Sequence, residues 1–170
     1  PSCVADARAV AAAANEHIRA KARGGTSDRM ATTLVAVAAV DDGVAVMHVG
    51  DSRCDRLVAG ESALVTRDHS HVQGLVDLGR IRPDEARDHR LRHVVARALG
   101  VDPEVRPDVV VLPAPVGRLL LCCDGLVEVV PARMVGRVLS EFAEPRRTAE
   151  RLVELAEHGG QRLQLLVVRE

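Results

Sequence analysis

Two aspartates stand where apolar runs of this chain stop. Leu119-Leu120-Leu121-Cys122-Cys123 ends on Asp124-Gly125, and Val46-Met47-His48-Val49 ends on Gly50-Asp51-Ser52-Arg53. A carboxylate at the mouth of a buried strand is costly unless it is solvated, paired or bound to a cation. Each aspartate therefore has two readings. One is a metal carboxylate on a strand end. The other is a turn residue, hydrated at Asp124-Gly125 and bonded to nearby N–H groups at Asp51. His69 and His71 could do acid–base work, but their polar setting favours exposed loop histidines. Arg53 is expected to pair with a carboxylate rather than with a phosphate. Thr32 and Thr33 are expected to bond the backbone at a strand entry.

The elements that must position these residues follow from periodicity. Residues 4–22 predict a helix with Val4, Ala7, Val10, Ala14 and Ile18 on its buried face, stopped by Gly24-Gly25. The polar loop Thr26-Ser27-Asp28-Arg29 follows it. Two β-rich runs, 33–40 and 44–49, flank Asp41-Asp42-Gly43 and predict a hairpin. Leu57-Val58 and Ala63-Leu64-Val65, around Ala59-Gly60-Glu61, predict a second one. Together the hairpins suggest an antiparallel meander. A short helix is expected over 71–78, and another start at Pro83-Asp84-Glu85. Residues 89–92 form a basic loop, and 93–99 fit helix or strand equally. Strands follow at 109–112 and 119–123, helices at 131–139 and 148–158, and a last strand at 163–168. The buried stripe of the second of these helices is Leu152, Leu155 and Ala156.

Composition narrows the class. With 170 residues the chain suits one domain, and it is 47% hydrophobic, enough for a core. Phe142 is the only aromatic residue, so that core is built from Ala, Val and Leu. A net charge of −1 and the lack of a basic, aromatic-interleaved run argue against nucleic acid. No apolar stretch reaches the length of a membrane span, and no signal peptide is recognisable. Cys3, Cys54, Cys122 and Cys123 lack metal-type spacing and read as buried thiols of a cytoplasmic protein.

Four segments in order resemble one family, the metal-dependent type 2C protein serine/threonine phosphatases of bacterial type. Ala31-Thr32-Thr33-Leu34 is similar to its G-T-T-L strand entry, and Gly50-Asp51-Ser52-Arg53 to its G-D-S-R motif. Thr66-Arg67-Asp68-His69-Ser70 resembles T-x-D-H-S. Leu121-Cys122-Cys123-Asp124-Gly125-Leu126 resembles L-x-S-D-G-L, with Cys123 in place of Ser. Residues 72–100 are also similar to the bacterial members. The resemblance implies an α+β fold: a four-layer α-β-β-α sandwich of two antiparallel sheets flanked by helices. It implies Mg²⁺ or Mn²⁺ as cofactor, with Asp124 and the adjoining Gly125 at a binuclear centre. Asp51 would serve an additional metal site, and residues 79–92 would form a flap beside the cleft.

The same resemblance exposes two departures. The family's opening D-G-x-G-G segment and first strands have no counterpart here, which suggests a domain shortened at its N-terminus with uncovered sheet faces. The family's last motif, G-G-x-D-N-x-T, reads Gly159-Gly160-Gln161-Arg162-Leu163-Gln164-Leu165, with Arg162 where a metal-binding Asp would stand. A permanent cation suits a bare carboxylate better than a divalent ion. Arg162 is therefore expected either to pair with Asp124 or to point to solvent. Three functions follow: a phosphoprotein phosphatase domain, degenerate or inactive as this chain; a non-catalytic pseudophosphatase binding a phosphoprotein or kinase; or an incomplete domain that assembles with a partner or with itself.

Overall fold

The computed structural model describes residues 3–24, 30–160 and 165–169. The expected hairpins form. Strand β1 (Leu34–Val40) pairs antiparallel with β2 (Gly43–Val49), Val40 opposite Gly43. Strand β3 (Arg53–Val58) pairs with β4 (Glu61–Leu64), Val58 opposite Glu61. They do not make one meander. Strand β2 pairs next with β5 (Asp108–Pro113), giving a sheet ordered β1-β2-β5. Strand β3 pairs with β6 (Arg118–Cys122), and β6 with β7 (Leu165–Arg169), giving a second sheet ordered β4-β3-β6-β7. The chain changes sheets across Gly50-Asp51-Ser52, between β2 and β3.

Strand β6 explains why its run is apolar throughout. Successive side chains point to opposite faces, and both faces are covered. Leu119 and Leu121 join Val46, Cys54, Leu112 and Val116 in the core between the sheets. Leu120 and Cys122 join Leu126, Val130, Leu139 and Leu152 beneath the helices. Those helices are α3 (Asp124–Val129), α4 (Ala132–Glu141) and α5 (Pro145–His158). The fold is thus α+β, two antiparallel sheets with helices, as the sequence implies.

Several expectations are corrected. Helix α1 (Cys3–Gly24) forms, but Val10 is 57% exposed while Asn15 is buried. Asn15 turns inward because it is fully bonded there. It accepts the Gly100 N–H at 2.7 Å and donates to the Asp102 carbonyl at 2.9 Å. Helix α2 (His71–Asp77) is capped by Ser70, whose hydroxyl accepts the Gln73 N–H. The start at Pro83 yields only a 3-10 turn, Glu85–Asp88. Residues 93–99 form neither helix nor strand. They are pinned by single antiparallel bridges, Ser70 to Val95 and Thr32 to Leu99. Of the cysteines, Cys54 and Cys122 are buried, Cys3 and Cys123 only half-buried, and all four are free thiols. The loop at 26–29 and residue Arg162 lie outside the described residues.

Helix α5 starts three residues earlier than expected. Thr148 is buried and donates to the Phe142 and Glu144 carbonyls, both at 3.0 Å, and it accepts from Arg118 at 2.7 Å. The same guanidinium bonds the Leu139 carbonyl. One arginine on β6 thereby ties the end of α4 to the start of α5.

Removing side-chain volume from the helix-covered face should cost the most. Leu120→Ala is expected to lower stability by about 2–5 kcal/mol in urea denaturation. Val111→Ala, on β5 and 52% exposed, should change it by less than about 0.5 kcal/mol.

Candidate metal centre

Asp124 is not in an Asp-Gly turn. Cys123 has an extended backbone and serves as the N-cap, and Asp124 is the first residue of α3. Its Oδ1 accepts the Gly125 N–H at 2.9 Å, which fixes the carboxylate against its own backbone. Gly125 itself is buried. Asp51 sits in the crossing between sheets, one residue after Gly50. Asp51, from the link between the sheets, and Asp124, from the head of α3, line one cleft of about 590 Å³. Arg87, Arg92 and His93 line it as well, from the segment that precedes β5, and Glu128 joins them from α3. His93 Nδ1 lies 2.8 Å from Glu128 Oε1, and Arg87 reaches the Val127 carbonyl at 3.4 Å. These two contacts tie residues 87–93 to α3.

The electrostatics of the pair are unfavourable as it stands. Burial pushes the Asp51 carboxyl up from its ordinary range, and the charge of Asp124 pushes it further. Its own backbone N–H and the charge of Arg53 pull the other way without winning. Arg53 is committed elsewhere: it makes a bidentate pair with Asp68, at 2.8 and 2.6 Å. Among the described residues no ion pair forms on Asp51 or Asp124. Two hard oxygen donors with no ion-pair partner among the described residues fit a divalent cation in kind. They are few: among the described residues no group of three His, Cys, Asp or Glu side chains is placed to hold an ion.

The crossing that carries Asp51 is held from several sides. Gly50 is buried with φ +111°, and a Cβ there would meet the Thr33 side chain at 2.3 Å. Thr33 Oγ1 lies 2.8 Å from Ser52 Oγ, so Thr33 bonds a side chain where a backbone partner is expected from sequence. Thr32 does bond backbone, to Leu99 and to the Thr33 carbonyl. Cys54 N–H donates to buried Thr66 Oγ1 at 3.0 Å, which runs residues 65–69 alongside β3. That alignment brings Asp68 to Arg53 and His69 to Gly50.

The histidines differ most from expectation. His71 is exposed, at the start of α2. His69 is not an exposed loop residue; its side chain is only 8% exposed. It lies against His48, ring centroids 4.7 Å apart. His48 faces Asp108 across the β2–β5 register. Asp108 Oδ2 lies 3.1 Å from His69 Nε2, and its Oδ1 accepts from Arg97 at 3.0 Å. Burial raises the Asp108 carboxyl, but the His69 and Arg97 contacts outweigh it and hold it below its ordinary range. His48 itself has no hydrogen-bond partner on either ring nitrogen among the described residues. The segment 66–70 singles out His69, but nothing in the sequence joins it to His48, Arg97 and Asp108, which lie on three other segments.

Comparisons with known proteins agree with this fold. A family model described as "Protein phosphatase 2C" matches residues 3–161. The serine/threonine protein phosphatase PstP of Mycobacterium tuberculosis is 41% identical over 132 residues, 77% of this chain and 25% of that protein. The serine/threonine phosphatase stp of Listeria innocua is 38% identical over 111 residues, 65% of this chain and 44% of that protein. The chain thus spans between a quarter and half the length of these relatives. The crystal structure of Stp1 from Staphylococcus aureus superposes with a TM-score of 0.89 at 27% identity, covering 96% of this chain and 66% of that one. The catalytic domain of PstP in complex with two manganese ions superposes at 0.86 and 35% identity, covering 98% of this chain and 72% of that one.

His48 gives the site's surroundings a pH dependence. Burial is the main cause that lowers its pKa from 6.5 to about 4. The unfolded chain then binds a proton that the folded one refuses. Stability is full above about pH 6.5 and falls as the pH drops towards 4, by about 3 kcal/mol in all. Denaturation midpoints across that window should show the loss, and His48→Gln should make it shallower, leaving the share of carboxyls such as Asp108 that are held below their ordinary range. A wild-type midpoint that does not move between pH 6.5 and 4 contradicts the assignment.

Proposed function

The chain belongs to the protein phosphatase 2C family, and we propose that it is a metal-dependent protein serine/threonine phosphatase-type domain whose Asp51 and Asp124 take a divalent cation. The observation that carries this reading is the pair itself. Two carboxylates, one from the crossing between the sheets and one from the head of α3, share one cleft, one raises the other, and neither has an ion-pair partner among the described residues. A cation bound there would remove the repulsion. The manganese-containing structure of a relative supports Mn²⁺ or Mg²⁺ as that ion.

The chemistry supplied by Mg²⁺ or Mn²⁺, when bound, is Lewis acidity towards a phosphoryl oxygen and an activated water. The chain's own residues do the positioning. Asp124 is fixed by the Gly125 N–H. Asp51 is held by the Gly50–Ser52 crossing. Arg87 and Arg92 line the same cleft, but so do Asp84, Asp88 and Glu128 beside the two aspartates, so the lining is net acidic and a bound cation would be needed before a phosphate dianion is favoured there.

We further propose that these 170 residues alone turn over no phosphoester. Arg162 stands at the sequence position of a family metal carboxylate, and the described residues bring two carboxylates together rather than a full ligand set. A cleft that binds cation and phosphate without hydrolysis would serve as a module for recognising phosphoproteins.

Hydrolysis of p-nitrophenyl phosphate by the purified protein, with and without Mn²⁺, tests both statements when combined with a Mn²⁺ titration. The expected result is Mn²⁺ binding that Asp124→Ala abolishes and Arg162→Asp strengthens, without wild-type turnover. Mn²⁺-dependent turnover lost in Asp124→Ala would overturn the inactive reading. No Mn²⁺ binding at all would overturn the cation seat.

A further inference from the structure

Gly50 poses an accounting problem. It is buried, so its N–H needs a partner, yet it lies where the chain leaves β2 and no strand pairs with it. The partner is a side chain. His69 Nδ1 accepts the Gly50 N–H at 3.1 Å, and the His69 N–H donates to the Gly50 carbonyl at 2.7 Å. One residue thus grips both peptide groups of the glycine that precedes Asp51.

The grip works in only one tautomer. Nδ1 can accept only when it carries no proton, so the neutral ring must carry its proton on Nε2. Nε2 faces Asp108 Oδ2 at 3.1 Å, an acceptor suited to that proton. Asp108 is held in turn by Arg97, which donates to its Oδ1 at 3.0 Å and to the Arg106 carbonyl at 3.1 Å. Arg97 also comes within 3.0 Å of His69 Nε2. A guanidinium cannot accept a hydrogen bond, so both groups aim their N–H at Asp108. On the ring's other side, His48 lies at 4.7 Å and limits rotation.

We propose that His69 is a positioning residue for Asp51, holding the Gly50 peptide through Nδ1 while Asp108 and Arg97 fix the ring tautomer that makes this bond possible. The proposal rests on the reading of Asp51 as a cation ligand. The arrangement parallels the outer partners of metal sites, which orient ligands without touching the ion. His69 touches neither the cleft carboxylates nor a substrate, so it acts through the backbone alone.

Two substitutions separate positioning from simple packing. Asn places its carbonyl oxygen near the site of Nδ1, and Gln places its amide near the site of Nε2. His69→Asn should keep the Gly50 bond and lose the one to Asp108, whereas His69→Gln should do the reverse. The Gly50 amide, followed by hydrogen exchange in NMR spectra, should exchange about tenfold faster in His69→Gln and stay protected in His69→Asn. Protected amides in β6 would show that both variants are folded. Mn²⁺ affinity should fall about tenfold in His69→Gln and hold within about threefold in His69→Asn.

An unprotected Gly50 amide in the wild type would overturn the proposal. So would a His69→Gln protein with unchanged Gly50 exchange, or a His69→Asn protein as damaged as His69→Gln. If the wild type binds no Mn²⁺, the cation reading fails, and the Gly50 amide alone decides whether His69 holds the crossing.

Discussion

Two like charges that line one cleft, Asp51 half-buried and Asp124 exposed, are the constraint on which the rest of this structure depends. Left alone, Asp51 and Asp124 would separate, or one would take a proton. Neither can move far. Asp124 is anchored at the head of α3, immediately after a strand buried on both faces. Asp51 lies in a short crossing whose two ends belong to different sheets. The pairing of β3 with β6, Arg53 opposite Cys122, sets the distance between the two anchor points. The carboxylates are therefore close because the sandwich makes them close.

The supports around Asp51 are polar, and each one is accounted for. Thr33 and Ser52 bond each other, Arg53 takes Asp68, and Gly50 takes His69. These partners come from the residue just before β1 and from the segment after β4. The arginine nearest to the carboxylate pair in sequence is thereby occupied. Its charge reaches Asp51 only in part. Had Arg53 turned to Asp51 instead, the cleft would have been neutralised internally and would have had little use for a cation.

Much of this was legible in the sequence where the signal is local. The β-rich runs flanking Asp41-Asp42-Gly43 and Ala59-Gly60-Glu61 placed both hairpins, and the unbroken apolar run of β6 announced a strand covered twice. Segment order carried the family resemblance and named Asp51 and Asp124. Where the signal is not local, the reading failed. Two hairpins in succession look like a meander, because nothing in Gly50-Asp51-Ser52 says that the chain changes sheets there. Asp124-Gly125 looks like a turn, because α3 has only six residues and too few to show a period. Asn15 and His69 look exposed by type. Each is buried because distant partners satisfy it: Gly100, 85 residues away, for Asn15, and Gly50, 19 away, together with Asp108 for His69. Arg162, on which the sequence argument about activity turned, lies outside the described residues.

The central claim is that Asp51 and Asp124 form one cation seat. Anomalous diffraction from a crystal of this protein grown with Mn²⁺ tests it most directly. The account predicts a manganese peak in the cleft within bonding distance of a carboxylate oxygen of both residues. A peak elsewhere, or a guanidinium or ordered water between the two aspartates at saturating Mn²⁺, would contradict it.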